Sequence, residues 1–418
     1  MASGVQKLPG HTEAIPGTAA TETATGTRQR GKPVALALAD YEAAARRHLP
    51  RPVFGYIAGA AETNAALDDN RRALREIGFV PRVLVGVGAR TSAAMLLGRD
   101  YAAPFGIAPM GLSALAAYRG DIALAAAARA ARVPMIMSGS SLIRMEDVIP
   151  HNPDAWFQAY LPAEPDRIAA LVDRVAKAGF GTLVVTVDTV ISGNRENITR
   201  TGFSTPLRPN LRLVLDGLAR PRWTAGTFLR TLARHGMPHF ENSYAVRGAP
   251  ILSASVLRDF GNRDHLCWDH LRLVRARWRG RLVVKGIMAA ADAVVARDLG
   301  ADGVILSNHG GRQLDATVSP FRTLPAVVAA LDGTIPVMID SGFRRGTDVI
   351  KALALGAAFV FVGRPFLYAA AVGGQSEVER AIAILKDEVV RNMGLLGVNT
   401  PSELGSDHLY RIAVGPTP

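Results

Sequence analysis

Eight short runs of β-rich, mostly apolar residues recur between alanine-rich stretches of helical composition, and this rhythm constrains the fold more than any other feature of the 418-residue chain. The runs are Phe105–Pro109, Pro134–Ser138, Ala155–Tyr160, Thr182–Asp188, Leu282–Lys285, Gly303–Ser307, Pro336–Asp340 and Phe359–Gly363. Continuous apolar runs of this length suit parallel strands buried on both faces. Segments between them, such as Asp121–Arg132 and Asp166–Ala178, read as helices. Eight βα units predict an α/β fold of the (β/α)8 TIM-barrel type, with a doubly wound open sheet as the competing architecture. The rhythm breaks once. The gap from Asp188 to Leu282 places a long insertion, about residues 200–265, after the fourth strand. Before the barrel, Leu36 to about Arg75 reads as an N-terminal helical cap. Residues 1–34 lack apolar periodicity and read as a disordered extension, leaving 35–418 as the barrel domain.

Active sites of such barrels lie where the strands end. Those ends carry Pro109-Met110-Gly111, Ser138, Gln158 with Tyr160, Thr186 with Asp188, Lys285, Ser307 with His309 and Arg312, Asp340-Ser341-Gly342, and Gly363-Arg364. In Ser307-Asn308-His309-Gly310-Gly311-Arg312 an imidazole and a guanidinium are held three residues apart on a glycine-rich strand exit. A proton acceptor beside a fixed cation suits removal of hydrogen from a carbon next to a carboxylate. A histidine merely satisfied in the core and a surface arginine are the plainer alternatives. Small residues and guanidiniums in the last two loops, Asp340–Gly346 and Gly363-Arg364, predict a phosphate site; helix capping with surface arginines is the alternative.

The single cysteine, Cys267, excludes an internal disulfide and gives no metal cluster, so no metal is expected. No apolar run is long enough to span a bilayer and no signal peptide is evident, so the chain reads as a cytoplasmic enzyme. Net charge is +12. Between Ser204 and Arg247 seven arginines stand among large apolar residues with only two acids, Asp216 and Glu241. That segment suits an anionic membrane surface on the inner face of the cell membrane, or a lid over the active site. No nucleic-acid recognition motif is present.

Ser307–Gln313 resembles the signature of the FMN-dependent α-hydroxy-acid oxidase and dehydrogenase family, which includes glycolate oxidase, lactate dehydrogenases and mandelate dehydrogenase. Pro81–Leu84, Phe157–Tyr160, Thr186–Thr189, Val284–Gly286, Asp340–Gly346 and Gly363–Pro365 match in the same order. The resemblance covers Leu36 to the C-terminus and, in Ala301–Asp315 and Ile339–Gly356, is strongest to mandelate dehydrogenase. It implies oxidation of an (S)-2-hydroxy acid by bound FMN, with electrons passed to a quinone-like acceptor or to oxygen. It implies that His309 is the base and Asp188 the carboxylate that holds it. Arg312 and Tyr56 would bind the substrate carboxylate, Arg195 would be a second arginine near the substrate, and Tyr160 would contact the reacting hydroxyl. Lys285 would sit beside the flavin ring; Ser138, Gln158, Thr186 and Ser307 would be polar flavin contacts, with Pro109 and Met110 on the strand-one loop. Asp340 would lie near the ribityl chain, and Ser341, Gly342, Arg344, Gly363 and Arg364 near the phosphate. Family members are often tetramers. Two departures, Gly111 and Ser140, imply room for a bulky side chain. An FMN barrel isomerase of the type 2 isopentenyl diphosphate kind and a non-catalytic membrane-bound flavin protein are the alternative readings.

Overall fold

Eight short parallel strands follow one another around a single sheet in a computed structural model that describes residues 35–204, 208, 211–253 and 263–412. They are β1 Phe105–Ile107, β2 Ile136–Ser138, β3 Trp156–Ala159, β4 Thr182–Thr186, β5 Arg281–Ile287, β6 Gly303–Leu306, β7 Val337–Ile339 and β8 Phe359–Val362. The pairing order is β1-β8-β7-β6-β5-β4-β3-β2. A parallel bridge between Ile107 and Met135, with the Ile107 N–H donating to the Pro134 carbonyl at 2.8 Å, joins β1 to the start of β2 and closes the barrel. The open-sheet alternative is thereby excluded. Most strands stop one or two residues before the predicted ends, because the last residues of each run turn out of the ladder onto the rim. The predicted extension, residues 1–34, and parts of the predicted insertion (205–207, 209–210 and 254–262) lie outside the described residues.

Alternate side chains of each strand fill two cores. Ile136, Trp156, Val184, Val283, Ile305, Met338, Phe359 and Phe361 meet inside the barrel. Leu96 and Tyr101, from an antiparallel hairpin (Ala94–Leu96 with Arg99–Tyr101), join that cluster and plug the end where the strands begin. The opposite faces pack against helices such as Gly120–Ala131 and Pro165–Ala178. Each fully buried Val, Leu or Ile contributes about 1.5–3 kcal/mol, which makes the barrel a stiff base for the rim.

The cap consists of α1 Leu38–His48, α2 Arg51–Ala58 and α3 Ala65–Arg75. It is bolted to the loop after β6. Asp315 accepts from the N–H of Thr63 (2.9 Å), just ahead of α3, and from that of Ala66 (3.0 Å), a donor that the first turn of α3 would leave orphaned. Asn70 and Asn308 exchange a reciprocal pair of amide hydrogen bonds, both 2.9 Å and buried. Gly311 sits at φ +74°, and a β-carbon there would fall 2.7 Å from the Leu67 nitrogen, so only glycine permits this approach.

The segment between β4 and β5 carries helices Glu196–Arg200, Leu211–Leu218, Arg230–His235 and Trp268–Arg277. Its anchors to the barrel are buried. Trp223 donates to the Leu115 carbonyl at 2.8 Å, and Asn242 accepts from the Met145 N–H at 2.9 Å. Leu211, Val214, Leu215 and Leu218 recur at helical spacing and stay exposed. Among the described residues no helix is long and apolar enough to cross a membrane.

Candidate active site

One cleft, about 1320 Å³ of non-atom space when its open mouth is included, lies at the C-terminal ends of the strands. Tyr56, Pro109, Met110, Gly111, Tyr160, Thr186, Arg195, Lys285, His309, Arg312, Asp340, Ser341, Gly342, Arg344, Gly363 and Arg364 line it. Asp188 stands behind His309, while Ser138, Gln158 and Ser307 lie deeper in the strand ends, more than nine-tenths buried. The structure therefore brings together every site residue expected from the sequence.

The strand register sets the inner arc. Ser138 pairs beside Gln158, and Thr186 beside Lys285. Lys285 is 4 % exposed; its ammonium donates to Ser307 Oγ at 2.8 Å and lies 3.2 Å from Asp340 Oδ2. Ser341 Oγ donates to Asp340 at 2.8 Å and accepts from the Gly310 N–H at 3.0 Å, joining the β7 loop to the β6 loop. Asp340 is thus first of all the partner of Lys285. Gly286 follows at φ +108°, and a β-carbon on it would stand 2.7 Å from the Asp188 β-carbon. This missing side chain lets Asp188 reach His309.

His309 Nδ1 lies 2.9 Å from Asp188 Oδ1, and the backbone of His309 is left-handed, at φ +57°. With Nδ1 turned to the carboxylate, Nε2 is the nitrogen left to take a proton. Burial lowers the pKa of His309; Asp188 opposes this, Lys285 and Arg195 add to it, and the value stays below the ordinary histidine range. Burial alone would raise Asp188, yet His309 and Lys285 outweigh it and keep the carboxyl ionised. Burial also works against the charge on Lys285, but Asp340 and Asp188 more than offset it and hold the ammonium protonated. The resting arrangement is a neutral base, an ionised carboxylate and a buried cation.

Arginines dominate the opposite wall. Arg312 Nη1 donates to the carbonyls of Tyr56 and Gly59, both at 2.7 Å, which fixes one edge of the guanidinium and leaves the rest toward the cleft. Arg195 donates to the Arg312 carbonyl at 2.9 Å and to the Gln313 side chain, so it braces the loop as well as lining the cleft. Arg364 donates to the carbonyls of Ile57 and Gly310, both at 2.9 Å, and Arg344 to that of Phe343 at 3.0 Å. Burial, then Arg195, pushes Arg312 down to about 10; burial, then Arg312 and Arg344, pushes Arg364 down to about 9. These groups remain cations at neutral pH; burial first, and the neighbouring guanidiniums second, work against their charge. Such a wall is completed by anions. The helix beginning at Arg364 adds first-turn N–H groups at the same edge.

The inner arc also fits a flavin. Gln158 Nε2 and Thr186 Oγ1 are buried polar atoms without a hydrogen-bond partner, at the ends of adjacent strands. A heterocycle edge carrying carbonyl and ring-nitrogen groups would satisfy both, beside the Lys285 cation, while the arginine wall would take a phosphate. No group of three His, Cys, Asp or Glu side chains that could hold a metal occurs among the described residues.

Sequence reasoning missed several lining residues, among them Ile57, Thr189, Ile191, Ser192, Gln313 and Arg263. Gln313 adjoins the motif and could have been found there: it donates to the carbonyls of Asp188 at 3.1 Å and Ile191 at 3.0 Å. Arg263 carried no local signal, since only the return of the insertion brings it to the cleft.

A profile of the FMN-dependent dehydrogenase family matches residues 45–411. A putative L-lactate dehydrogenase of Mycobacterium tuberculosis is 37% identical over 92% of this chain and 92% of its own length. The (S)-mandelate dehydrogenase of Pseudomonas putida is 36% identical over 90% of this chain and 94% of its own. Among solved structures, the monotopic membrane protein (S)-mandelate dehydrogenase superposes with a TM-score of 0.85 at 36% identity, covering 91% of this chain and 100% of that one. A mandelate oxidase variant superposes at 0.74 with 33% identity, over 91% of this chain and 100% of that one. With the family profile spanning residues 45–411 and relatives 36–37% identical over at least 90% of its length, the chain belongs to the FMN-dependent dehydrogenase family and is an FMN-carrying oxidoreductase.

Proposed function

We propose that the enzyme oxidises an (S)-2-hydroxy acid with a mandelate-like or lactate-like side chain to the 2-oxo acid. The observation that carries this reading is the His309–Asp188 pair, 2.9 Å apart, in one cleft with the Arg312 guanidinium. Arg312, with Tyr56 and Arg195, binds the substrate carboxylate and so fixes C2 against the imidazole. His309 Nε2 accepts the proton leaving the C2 centre, from its C–H or its hydroxyl, and Asp188 stabilises the imidazolium that results. Tyr160 holds the hydroxyl oxygen.

Bound FMN supplies the acceptor for the two electrons that leave C2. Lys285, Ser307, Ser138, Gln158 and Thr186 would hold its ring, with Pro109 and Met110 along the ring's edge and Asp340 toward the ribityl chain. Ser341, Gly342, Arg344, Gly363 and Arg364 would hold its phosphate. The electrons then pass to a quinone-like acceptor. Relatedness to a mandelate oxidase favours oxygen as the second reading. The exposed Leu211–Leu218 face among arginines supports attachment to the inner face of the cell membrane, and a relative of known structure is monotopic. Residues 35–418 act as one flavin domain, and family resemblance supports a homo-tetramer.

The test is anaerobic stopped-flow reduction. The yellow protein should bleach with (S)-mandelate or (S)-lactate, and His309→Gln should keep the colour without bleaching. Failure of every 2-hydroxy acid to bleach the wild-type protein would instead favour an isomerase on the same barrel.

A further inference from the structure

We propose that residues 80–86, together with Leu395 and the strand Leu409–Arg411, form the face through which one copy of this chain binds a second copy. This gives a surface to the homo-oligomer proposed above and rests on that reading, but not on the chemistry of the cleft.

Apolar residues gather where three segments adjoin. The Val80 N–H donates to the His408 carbonyl at 2.9 Å, and the Arg82 N–H to the Leu396 carbonyl at 3.1 Å. Asn399 Nδ2 donates to the Gly86 carbonyl at 2.9 Å. These bonds lay the stretch between the end of the helix Arg364–Leu396 and the strand Leu409–Arg411. Val83 is 81 % exposed, Leu84 fully so, Leu395 68 % and Tyr410 64 %, while Val80, Val85 and Ile412 are each exposed by more than two-fifths. The seven residues offer on the order of 750 Å² to solvent, close to the ~800 Å² that one partner contributes to a standard-size interface. Monomers rarely leave so much apolar surface bare in one place.

The backbone of the stretch is also incomplete. Leu84 stands at φ +57°, a left-handed conformation that strains a leucine, and its fully exposed side chain has no packing within the chain to offset that strain. None of the N–H or carbonyl groups of Val83, Leu84 and Val85 forms a hydrogen bond among the described residues. Such a stretch is completed by a partner that brings donors, acceptors and apolar groups together.

Those unpaired groups decide the kind of partner. Hydrocarbon cannot satisfy irregular backbone, so a bilayer does not suit this face. The helix Leu211–Leu218 differs, because its backbone groups are bonded within the helix. The rim then points to a second copy. Arg82 and Arg411 are exposed, and so are Asp407, next to the His408 that holds Val80, and Glu403, which accepts from the N–H of Asn399 at 2.9 Å. A rim of both signs is matched by another copy of itself, whereas a partner of one sign would meet repulsion on part of it.

The experiment measures the mass of the full-length holoenzyme in mild detergent by analytical ultracentrifugation. The wild-type protein should sediment as an oligomer. Leu84→Asp with Leu395→Asp should lower the mass at least twofold, with flavin content and far-UV spectrum as in wild type. Leu84→Ala alone changes only an exposed side chain and should raise the dissociation constant of the assembly about tenfold, which keeps the face testable if the double variant misfolds. Leu215→Asp on the insertion should leave the mass unchanged. An assembly whose mass and dissociation constant survive the changes at positions 84 and 395 would overturn this face and leave the homo-oligomer standing. A monomeric wild-type protein would overturn both. Weaker sedimentation of the double variant with anionic vesicles, at unchanged mass, would overturn the proposal by assigning the face to lipid.

Discussion

The cleft and the outer face of the insertion are both rich in arginine, and they use it in opposite ways. In the cleft, Arg312, Arg344 and Arg364 are packed together, tied to backbone carbonyls and held below their ordinary pKa by burial. On the insertion, Arg222, Arg230 and Arg234 are exposed beside exposed leucines. A crowded buried cation is specific: it is costly without an anion, so it selects one of matching size and place. An exposed one is a weak, salt-screened attraction that acts only in numbers. The comparison separates residues that recognise a molecule from residues that favour a surface.

The largest expected effect is on the base. Removing the imidazole in His309→Gln should lower the rate of flavin reduction by about 10²–10⁴-fold, measured anaerobically, with the visible spectrum retained. Asp188→Asn should come next and has a sign. The base must be neutral, so the rate falls as pH drops through the His309 pKa, which burial already holds below its ordinary value of about 6.5. Asp188 is the main influence raising that pKa. Its loss should move the acid limb of the kcat/KM profile to still lower pH, on a lower plateau; a limb moving upward would contradict the pairing. Arg312→Met should cost about 10²-fold in kcat/KM, roughly 3 kcal/mol, with little dependence on salt. Gly111→Ala should act selectively. Its β-carbon must press on Ser140, so kcat/KM for (S)-mandelate should fall about tenfold relative to (S)-lactate. The smallest effect on turnover belongs to the outer face. Leu211→Ser with Leu215→Ser and Leu218→Ser should leave dye-coupled activity within about twofold, while weakening sedimentation with anionic vesicles; unchanged sedimentation would break the contrast.

What could be read from the chain follows from how each element is stabilised. The barrel strands were legible because burial on both faces demands unbroken apolar runs. The hairpin Ala94–Tyr101 and the antiparallel pair Ile77–Phe79 with Leu409–Arg411 were not. Each strand has three residues, several of them polar or half-exposed, and tertiary contact decides them. His309, Asp188, Lys285 and Arg312 could be picked out because strand ends and a short motif place them. Arg263 could not, because no rule of spacing carries a residue across the insertion to Tyr160. The helical cap was legible as helices, but not the reason it docks, which is Asp315 at the start of α3.

That carboxylate has a consequence for engineering. The same stretch of chain that presents the imidazole also ends in the group that seats the cap, so the two modules cannot be exchanged independently. A chimera that grafts a foreign cap onto this barrel would have to import the β6 loop with it, or recreate an acceptor at position 315. Otherwise it would inherit a misplaced Tyr56 and a poorly aimed Arg312.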